Sequence, residues 1–157
     1  MTLPPLGAPA PDFVLPGADG ELIQLSGFQD RAHVVLAFYP FDFSPICSVQ
    51  LPGLQAQARR FAELDAVVLG ISTDSPHSHR AFAAELGLEF PLLSDFFGKA
   101  VSEIYGVLRP EGYSERATFI IDKQGILRHA QVHELGKAPD VEALLHALAG
   151  LNHNTHD

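Results

Sequence analysis

Two continuous apolar runs dominate the hydrophobic pattern of the chain: His33–Tyr39 and Ala66–Ser72. Runs of this length, bounded by polar residues or proline, are typical of strands buried on both faces of a sheet. Two more apolar stretches, Ala117–Asp122 and Ile126–Gln131, flank the turn sequence Lys123-Gln124-Gly125. That arrangement predicts an antiparallel hairpin.

The segments between these strands carry helical signals. Pro45–Leu64 predicts a helix with a kink at Pro52, because an internal proline removes one backbone hydrogen bond. Pro76–Leu86 predicts a second helix, with Ser75 as its N-cap and Gly87 as its end. Shorter patterns predict helices over residues 98–105 and 139–148.

The first two predicted strands form a hairpin that precedes the alternating strands and helices. Residues 12–15 and 21–25 read as strands around a Pro/Gly-rich turn, and residues 90–93 as a short extended segment. The resulting order predicts an α/β fold with a mixed central sheet flanked by helices and an N-terminal β-hairpin. We expect a single domain over residues 1–151, followed by a polar tail at 152–157.

The charge and composition of the chain argue against two classes of binding partner. The formal net charge is −9, from 10 basic and 19 acidic residues, which argues against nucleic acid or an anionic membrane as a partner. No apolar run approaches the ~20 residues of a membrane-spanning helix, and the first residues do not resemble a signal peptide. A single cysteine suits a reducing compartment, so we expect a cytoplasmic protein.

That cysteine, Cys47, is the candidate for chemistry. Ser44 is a suitable N-cap and Pro45 a suitable first helical residue, which would place Cys47 in the first turn of the helix. Free N–H groups and the helix dipole favour a thiolate there. The alternative is that Cys47 is a small buried apolar residue. Gln50 occupies the position where a thioredoxin-type dithiol needs its second cysteine.

The histidines do not predict a metal site. His77 and His79 flank one serine, and His153 and His156 lie near the C-terminus, but neither pair has a metal-binding spacing with a further ligand. We expect solvated surface histidines and neither metal nor other cofactor.

The residues Pro40-x-x-x-Ser44-x-x-Cys47 resemble the active-site signature of the peroxiredoxins, Pro-x-x-x-Thr/Ser-x-x-Cys. The resemblance extends over most of the chain, and Arg116 stands where the family has its active-site arginine. The single cysteine makes the chain most similar to the one-cysteine, AhpE-like group, with the bacterioferritin-comigratory group next. Other matching stretches are residues 8–13, 70–75, 90–95, 105–107 and 116–122. The resemblance implies a thioredoxin-like fold.

The resemblance also implies a role for each residue of the signature. Cys47 would attack a peroxide oxygen as a thiolate and become a sulfenic acid. Arg116 would stabilise the thiolate and the charge on the leaving oxygen. Ser44 would offer its hydroxyl to the peroxide and the thiolate. The alternative interpretations are a simple N-cap for Ser44 and a solvated surface charge for Arg116.

Four further groups complete the expected site. Pro40 would shield the thiolate from water, with a simple strand stop as the alternative. The backbone N–H groups of Ile46 and Cys47 would contact the peroxide. Tyr39 is a candidate for the pocket wall, although a core aromatic is the simpler interpretation. Gln50, where many relatives carry glutamate, would contact Arg116 from behind the site without adding charge.

The implied function is a thiol-dependent peroxidase that reduces hydrogen peroxide and organic hydroperoxides, in antioxidant defence and redox homeostasis. The sulfenic acid would be resolved by an external thiol: a low-molecular-weight thiol, a glutaredoxin- or mycoredoxin-like protein, or thioredoxin. We expect a homodimer, since relatives often pair through surfaces near the active site. The alternatives are a peroxide-sensing redox regulator that uses Cys47 oxidation as a signal, and a non-catalytic binding module.

Overall fold

The computed structural model describes residues 2–154, and the side chains of residues 2–152. The strands in this part of the chain are β1 Val14–Pro16, β2 Leu22–Gln24, β3 His33–Phe38, β4 Ala66–Ser72, β5 Leu92–Ser94, β6 Arg116–Ile121 and β7 Leu127–His133. The α-helices are α1 Cys47–Ala56, α2 Ala58–Glu63, α3 Pro76–Leu86, α4 Ala100–Ile104 and α5 Val141–Asn154. A 3₁₀ turn, Leu25–Phe28, follows β2.

Five of these strands form the central sheet, in the order β5-β4-β3-β6-β7. Strands β3, β4 and β5 are parallel, whereas β6 runs antiparallel to β3 and β7 antiparallel to β6. Strands β1 and β2 pair as a separate antiparallel ribbon. The mixed sheet and the N-terminal hairpin are therefore confirmed.

Strand β3 lies at the centre of the sheet and is buried along its whole length. Its residues alternate between two cores, as the two-residue period of a strand requires. Val34, Leu36 and Phe38 pack in the core that includes α4 and the hairpin. Val35 and Ala37 face the core that contains Cys47 and residues of α1, α2, α3 and α5.

The helix predicted over residues 45–64 is two helices. Gln57, which is not helical, separates α1 from α2, and Pro52 lies within α1. By contrast, α3 has the predicted bounds and caps: the Ser75 side chain accepts from the N–H of Ser78, and Gly87 adopts the left-handed conformation that ends the helix.

The closing helix runs beyond its predicted end at residue 148, through Asn154. Asn152 is tied to the domain: its Nδ2 donates to the carbonyl of Leu64 at 3.0 Å, and its Oδ1 lies 3.0 Å from His33 Nε2. The start of the expected polar tail is therefore helical and attached, while residues 155–157 lie outside the described residues. Among the described helices, none is long and apolar enough to cross a membrane.

Candidate active site

Sheet register brings Cys47 and Arg116 together. Phe38, the last residue of β3, pairs with Ala117 in β6. Because the two strands are antiparallel, the first residue of β6, Arg116, lies beside the end of β3. The chain leaves β3 at this point, passes through residues 40–46 (the Cys47 loop) and enters α1 at Cys47.

The Cys47 sulfur contacts the guanidinium of Arg116. Arg116 Nη1 lies 3.3 Å from Cys47 Sγ, within hydrogen-bonding distance for sulfur. Cys47 has no exposed surface and Arg116 is only 2% exposed. The guanidinium is a cationic donor, so it is placed to hydrogen-bond the sulfur and to stabilise negative charge on it.

The remaining contacts of Arg116 are to neutral oxygens. Its Nε and Nη2 donate to the carbonyl of Leu135 at 3.2 and 3.0 Å, and Nη1 also donates to Gln50 Oε1. Among the described residues, no carboxylate forms an ion pair with Arg116. Since a buried charge requires compensation, Cys47 is the group placed to supply the negative charge.

Gln50 lies one helical turn after Cys47, so the two side chains share a face of α1. A guanidinium has only donors, so the amide atom that faces Arg116 must be the oxygen. Gln50 is 4% exposed, and its Nε2 has no hydrogen-bond partner within the described chain. The structure therefore places Gln50 in direct contact with Arg116.

The N-cap predicted at Ser44 is wrong. The helix begins at Cys47, its capping position is Ile46, and no side chain caps it. The Ser44 Oγ is buried and has no hydrogen-bond partner in the part of the chain described. Residues 44–46 form a turn ahead of the helix, in which the Ser44 carbonyl accepts from the N–H of Ser48 at 2.9 Å. The hydroxyl is thus left free for another partner.

The N–H groups of Ile46 and Cys47 are also available. Neither donates to another group within residues 2–154, as expected where a helix begins. The segment that leads into Cys47 therefore carries two free N–H groups and one unpartnered hydroxyl, and the Arg116 guanidinium contacts the Cys47 sulfur. Pro40 is buried at the start of the same loop.

Tyr39 requires a correction. Its side chain is fully buried in the core that contains Cys47, but its hydroxyl donates to Asp42 Oδ1 at 2.6 Å. Burial and the nearby Asp42 charge raise the pKa of Tyr39 well above its ordinary value. The hydroxyl is therefore committed to the protein interior and does not line a peroxide pocket, which leaves Tyr39 the role of a core aromatic.

His79, expected at the surface, is fully buried. Its Nδ1 lies 2.7 Å from Asp42 Oδ2, and its Nε2 lies 3.0 Å from the carbonyl of Leu93. Asp42, Asp74 and His79 offer oxygen and nitrogen atoms within 4.8 Å of one another. Both ring nitrogens of His79 are already engaged, which leaves neither for a metal ion. A sequence signal existed, because His79 and Phe82 recur at helical spacing on one face of α3.

Comparison with known proteins identifies the family. The model of the AhpC/TSA family matches residues 6–130. Over 148 residues the chain is 38% identical to alkyl hydroperoxide reductase E of Mycobacterium tuberculosis, covering 93% of this chain and 97% of that protein. The chain belongs to the AhpC/TSA family of peroxiredoxins. It is accordingly a thiol-dependent peroxidase, an antioxidant oxidoreductase, and its single cysteine makes the mechanism a one-cysteine mechanism.

Solved structures agree with this assignment. The reduced 2-Cys peroxiredoxin of Plasmodium vivax superposes with a TM-score of 0.89 at 30% identity, covering 96% of this chain and 83% of that one. Peroxidoxin BcpB of Mycobacterium tuberculosis gives a TM-score of 0.83 at 30% identity, covering 92% and 96%. The peroxiredoxin therefore has the thioredoxin-like fold of its family.

Proposed function

We propose that this peroxiredoxin reduces hydrogen peroxide and organic hydroperoxides through a sulfenic acid on Cys47. The observation that carries the proposal is the 3.3 Å contact between Cys47 Sγ and the buried Arg116 guanidinium. The thiolate attacks the terminal oxygen of the hydroperoxide, so that an S–O bond forms as the O–O bond breaks. The sulfur is oxidised by two electrons, and the released alkoxide or hydroxide takes up a proton.

Arg116 stabilises two negative charges in this step: the charge of the thiolate and the charge that develops on the departing oxygen. In the ground state it is the counter-ion of the thiolate, and in the transition state it faces the charge that moves onto the departing oxygen. A positioned cation of this kind needs no reorganisation as the charge shifts. Its two bonds to the Leu135 carbonyl and its bond to Gln50 hold the guanidinium in place. We therefore assign Gln50 a positioning role.

The loop before α1 supplies the groups that bind the peroxide. The unpartnered Ser44 hydroxyl can accept a hydrogen bond from the peroxide and donate one to the thiolate. The free N–H groups of Ile46 and Cys47 can donate to its oxygens. Pro40, buried at the start of the loop, shields the sulfur from water and so limits further oxidation.

The sulfenic acid is reduced by a thiol from outside the chain. Cys47 is the one cysteine in the sequence, so a disulfide within one chain is impossible. An external thiol attacks the sulfenic sulfur, releases water and leaves a mixed disulfide, which a second thiol reduces. We propose a low-molecular-weight thiol, a glutaredoxin- or mycoredoxin-like protein, or thioredoxin as the donor. A single cysteine also fits a cytoplasmic setting.

Steady-state turnover tests this function. With peroxide and each candidate thiol supplied in turn, the wild-type chain should consume peroxide continuously with at least one of them. Cys47→Ser should consume none above the background of the thiol alone. A wild-type rate equal to that of Cys47→Ser with every donor would contradict the proposal.

We also propose that the protein forms a homodimer through aromatic residues beside the Cys47 loop. Phe41 and Phe96 are 44% and 47% exposed and, together with Tyr113, line a cleft of about 430 Å³. Phe97 is 81% exposed next to them. Lys99 and Glu111 at the same cleft provide charges of both signs, which suits a self-complementary contact. Burying these rings against a second copy would remove a large apolar surface from water.

Sedimentation velocity over a range of concentrations tests the dimer. Phe97→Glu should shift the equilibrium towards monomer, because it places a charge in the apolar contact. Leu22→Glu, at an apolar position on β2 that is 68% exposed, is the matched control and should sediment like the wild type. A wild-type chain that is monomeric at every concentration would exclude the dimer.

A further inference from the structure

Asp42 gathers donors from three parts of the fold. Its Oδ1 accepts from the Tyr39 hydroxyl at 2.6 Å, and its Oδ2 accepts from Ser78 Oγ at 2.8 Å and lies 2.7 Å from His79 Nδ1. Its backbone N–H donates to Asp74 Oδ2 at 2.8 Å. Asp42 is 8% exposed and His79 is fully buried. A buried carboxylate with this many donors is a strong, fixed anchor.

The hydrogen bonds fix the orientation of the His79 ring. The Leu93 carbonyl can only accept, so the Nε2–H of His79 donates to it. His79 Nδ1 lies 2.7 Å from Asp42 Oδ2 and 3.3 Å from the Tyr39 hydroxyl. Both ring nitrogens of His79 are therefore engaged, and one of them is held by Asp42. The other ionisable groups that face the pair are Tyr39 and Asp74, and burial raises the pKa of both.

Asp42 is the main anchor of the Cys47 loop. In the described part of the chain, every hydrogen bond from residues 41–46 to an element other than α1 passes through Asp42. The next residue, Phe43, has a φ of 67°, a left-handed conformation that a phenylalanine keeps only if its surroundings enforce it. The hydrogen bonds that hold the loop leading into Cys47 thus pass through one residue, while Phe41 and Phe43 add ring contacts to Tyr113 and Phe82.

We propose that Asp42 and His79 form a buried hydrogen-bonded pair that positions the Cys47 loop for peroxide reduction. Both are positioning residues: they hold Ser44 and the start of α1 in register with Arg116 on β6. The inference rests on the proposed function, since it concerns the geometry of the same reacting sulfur. Misplacement of reacting groups by about 1 Å can cost about 100-fold in rate, so the pair matters at a distance.

A double-mutant cycle tests the pair. Asp42→Asn and His79→Gln should each slow Cys47 oxidation by hydrogen peroxide by about tenfold or more in a single turnover. Because the two residues act as a unit, the double variant should be no slower than the slower single variant. Asp65→Asn is the matched control, since Asp65 pairs with Lys123 through an exposed side chain and should leave the rate unchanged. Rates within twofold of wild type for both single variants, or losses that multiply, would overturn the proposal.

NMR of the wild-type chain tests the pair without any variant. The Nε2–H proton of His79, donated to the Leu93 carbonyl inside the fold, should exchange slowly with solvent, and rapid exchange would overturn the buried pair. The thiolate profile, from iodoacetamide alkylation against pH, should shift in Asp42→Asn and not in Asp65→Asn; an unshifted profile would reduce Asp42 to a purely structural role. The NMR signal does not depend on Cys47. The Asp42–His79 pair could therefore be disproved while Cys47→Ser still abolishes turnover, and the pair could be confirmed while the proposed peroxidase function is disproved.

Discussion

We propose that the chemistry of Cys47 depends on Arg116, through the shape of the guanidinium as well as its charge. The planar guanidinium contacts Cys47, Gln50 and Leu135 at once, which a lysine ammonium cannot do from one position. Arg116→Lys should therefore slow Cys47 oxidation by about 100-fold in stopped-flow single turnovers. Arg60→Lys, which conserves charge at the exposed pair with Glu142, should not change the rate. An unchanged rate in Arg116→Lys would mean that charge alone suffices.

We propose that Gln50, a neutral partner of Arg116, leaves the charge of the guanidinium available to the sulfur. A glutamate at this position would place a carboxylate against the same guanidinium and compete with the thiolate. Gln50→Glu should therefore lower the thiolate fraction, and iodoacetamide should alkylate Cys47 about tenfold more slowly at neutral pH. Gln50→Met, which has a similar size and no charge, is the control, because it removes the Gln50 amide without adding a carboxylate. If Gln50→Glu alkylates like the wild type, Arg116 does not control the thiolate.

At the scale of residues, the sequence identified the candidate site residues that belong to a motif with fixed spacing. Pro40, Ser44, Cys47 and Arg116 became candidates through their resemblance to the family signature, and the structure brings Cys47 and Arg116 into contact. The Leu135 carbonyl was not, because any residue provides a backbone carbonyl and only the folded chain brings this one to Arg116. The Asp42–His79 contact was missed for a related reason: it joins residues of two elements that only tertiary packing brings together.

At the scale of elements, strong hydrophobic runs gave reliable bounds. The β4 prediction has the observed limits and that of β3 differs by one residue, because a strand buried on both faces is apolar throughout. The start of α1 was predicted too early. Ser44 and Pro45 are typical of a helix start, but in this fold they form a turn that leaves the Ser44 hydroxyl free. Site geometry here overrides local preference.

Glycines in two elements give opposite predictions for stability. A Cβ on Gly70 in β4 would meet Leu92 Cδ2 at 2.7 Å, inside a closed core, so Gly70→Ala should lower the free energy of unfolding by about 1–3 kcal/mol. Gly53 in α1 has open space around it, so Gly53→Ala should raise that energy by up to about 1 kcal/mol. Urea denaturation measures both. A Gly70→Ala variant as stable as the wild type would mean that Leu92 can move aside.

At the scale of the whole molecule, half-buried histidines on β7 couple stability to pH. Burial lowers the pKa of His129 and His133 below the ordinary value of 6.5, and for His133 the charges of His129 and Arg116 lower it further. The unfolded chain therefore takes up protons first, so acidification through and below 6.5 favours unfolding. The melting temperature should fall on mild acidification, and fall less in His129→Gln/His133→Gln. The exposed His77→Gln is the control, and an identical loss in the double variant would exclude these groups.

The fold as a whole converts one cysteine into a reactive one. It places the end of β3 beside the start of β6, buries the sulfur against a guanidinium, and leaves no carboxylate paired with that guanidinium among the described residues. Reactivity then requires the assembled domain and not the local sequence around Cys47. Unfolding in urea should accordingly return Cys47 to the reactivity of free cysteine.

The rate at which hydrogen peroxide oxidises Cys47 in a single turnover is the most direct measurement of this account. The folded wild-type chain should form one sulfenic acid per chain, orders of magnitude faster than free cysteine reacts, and Cys47→Ser should form none. A folded chain whose Cys47 reacts no faster than free cysteine would contradict the role of the buried Cys47–Arg116 pair.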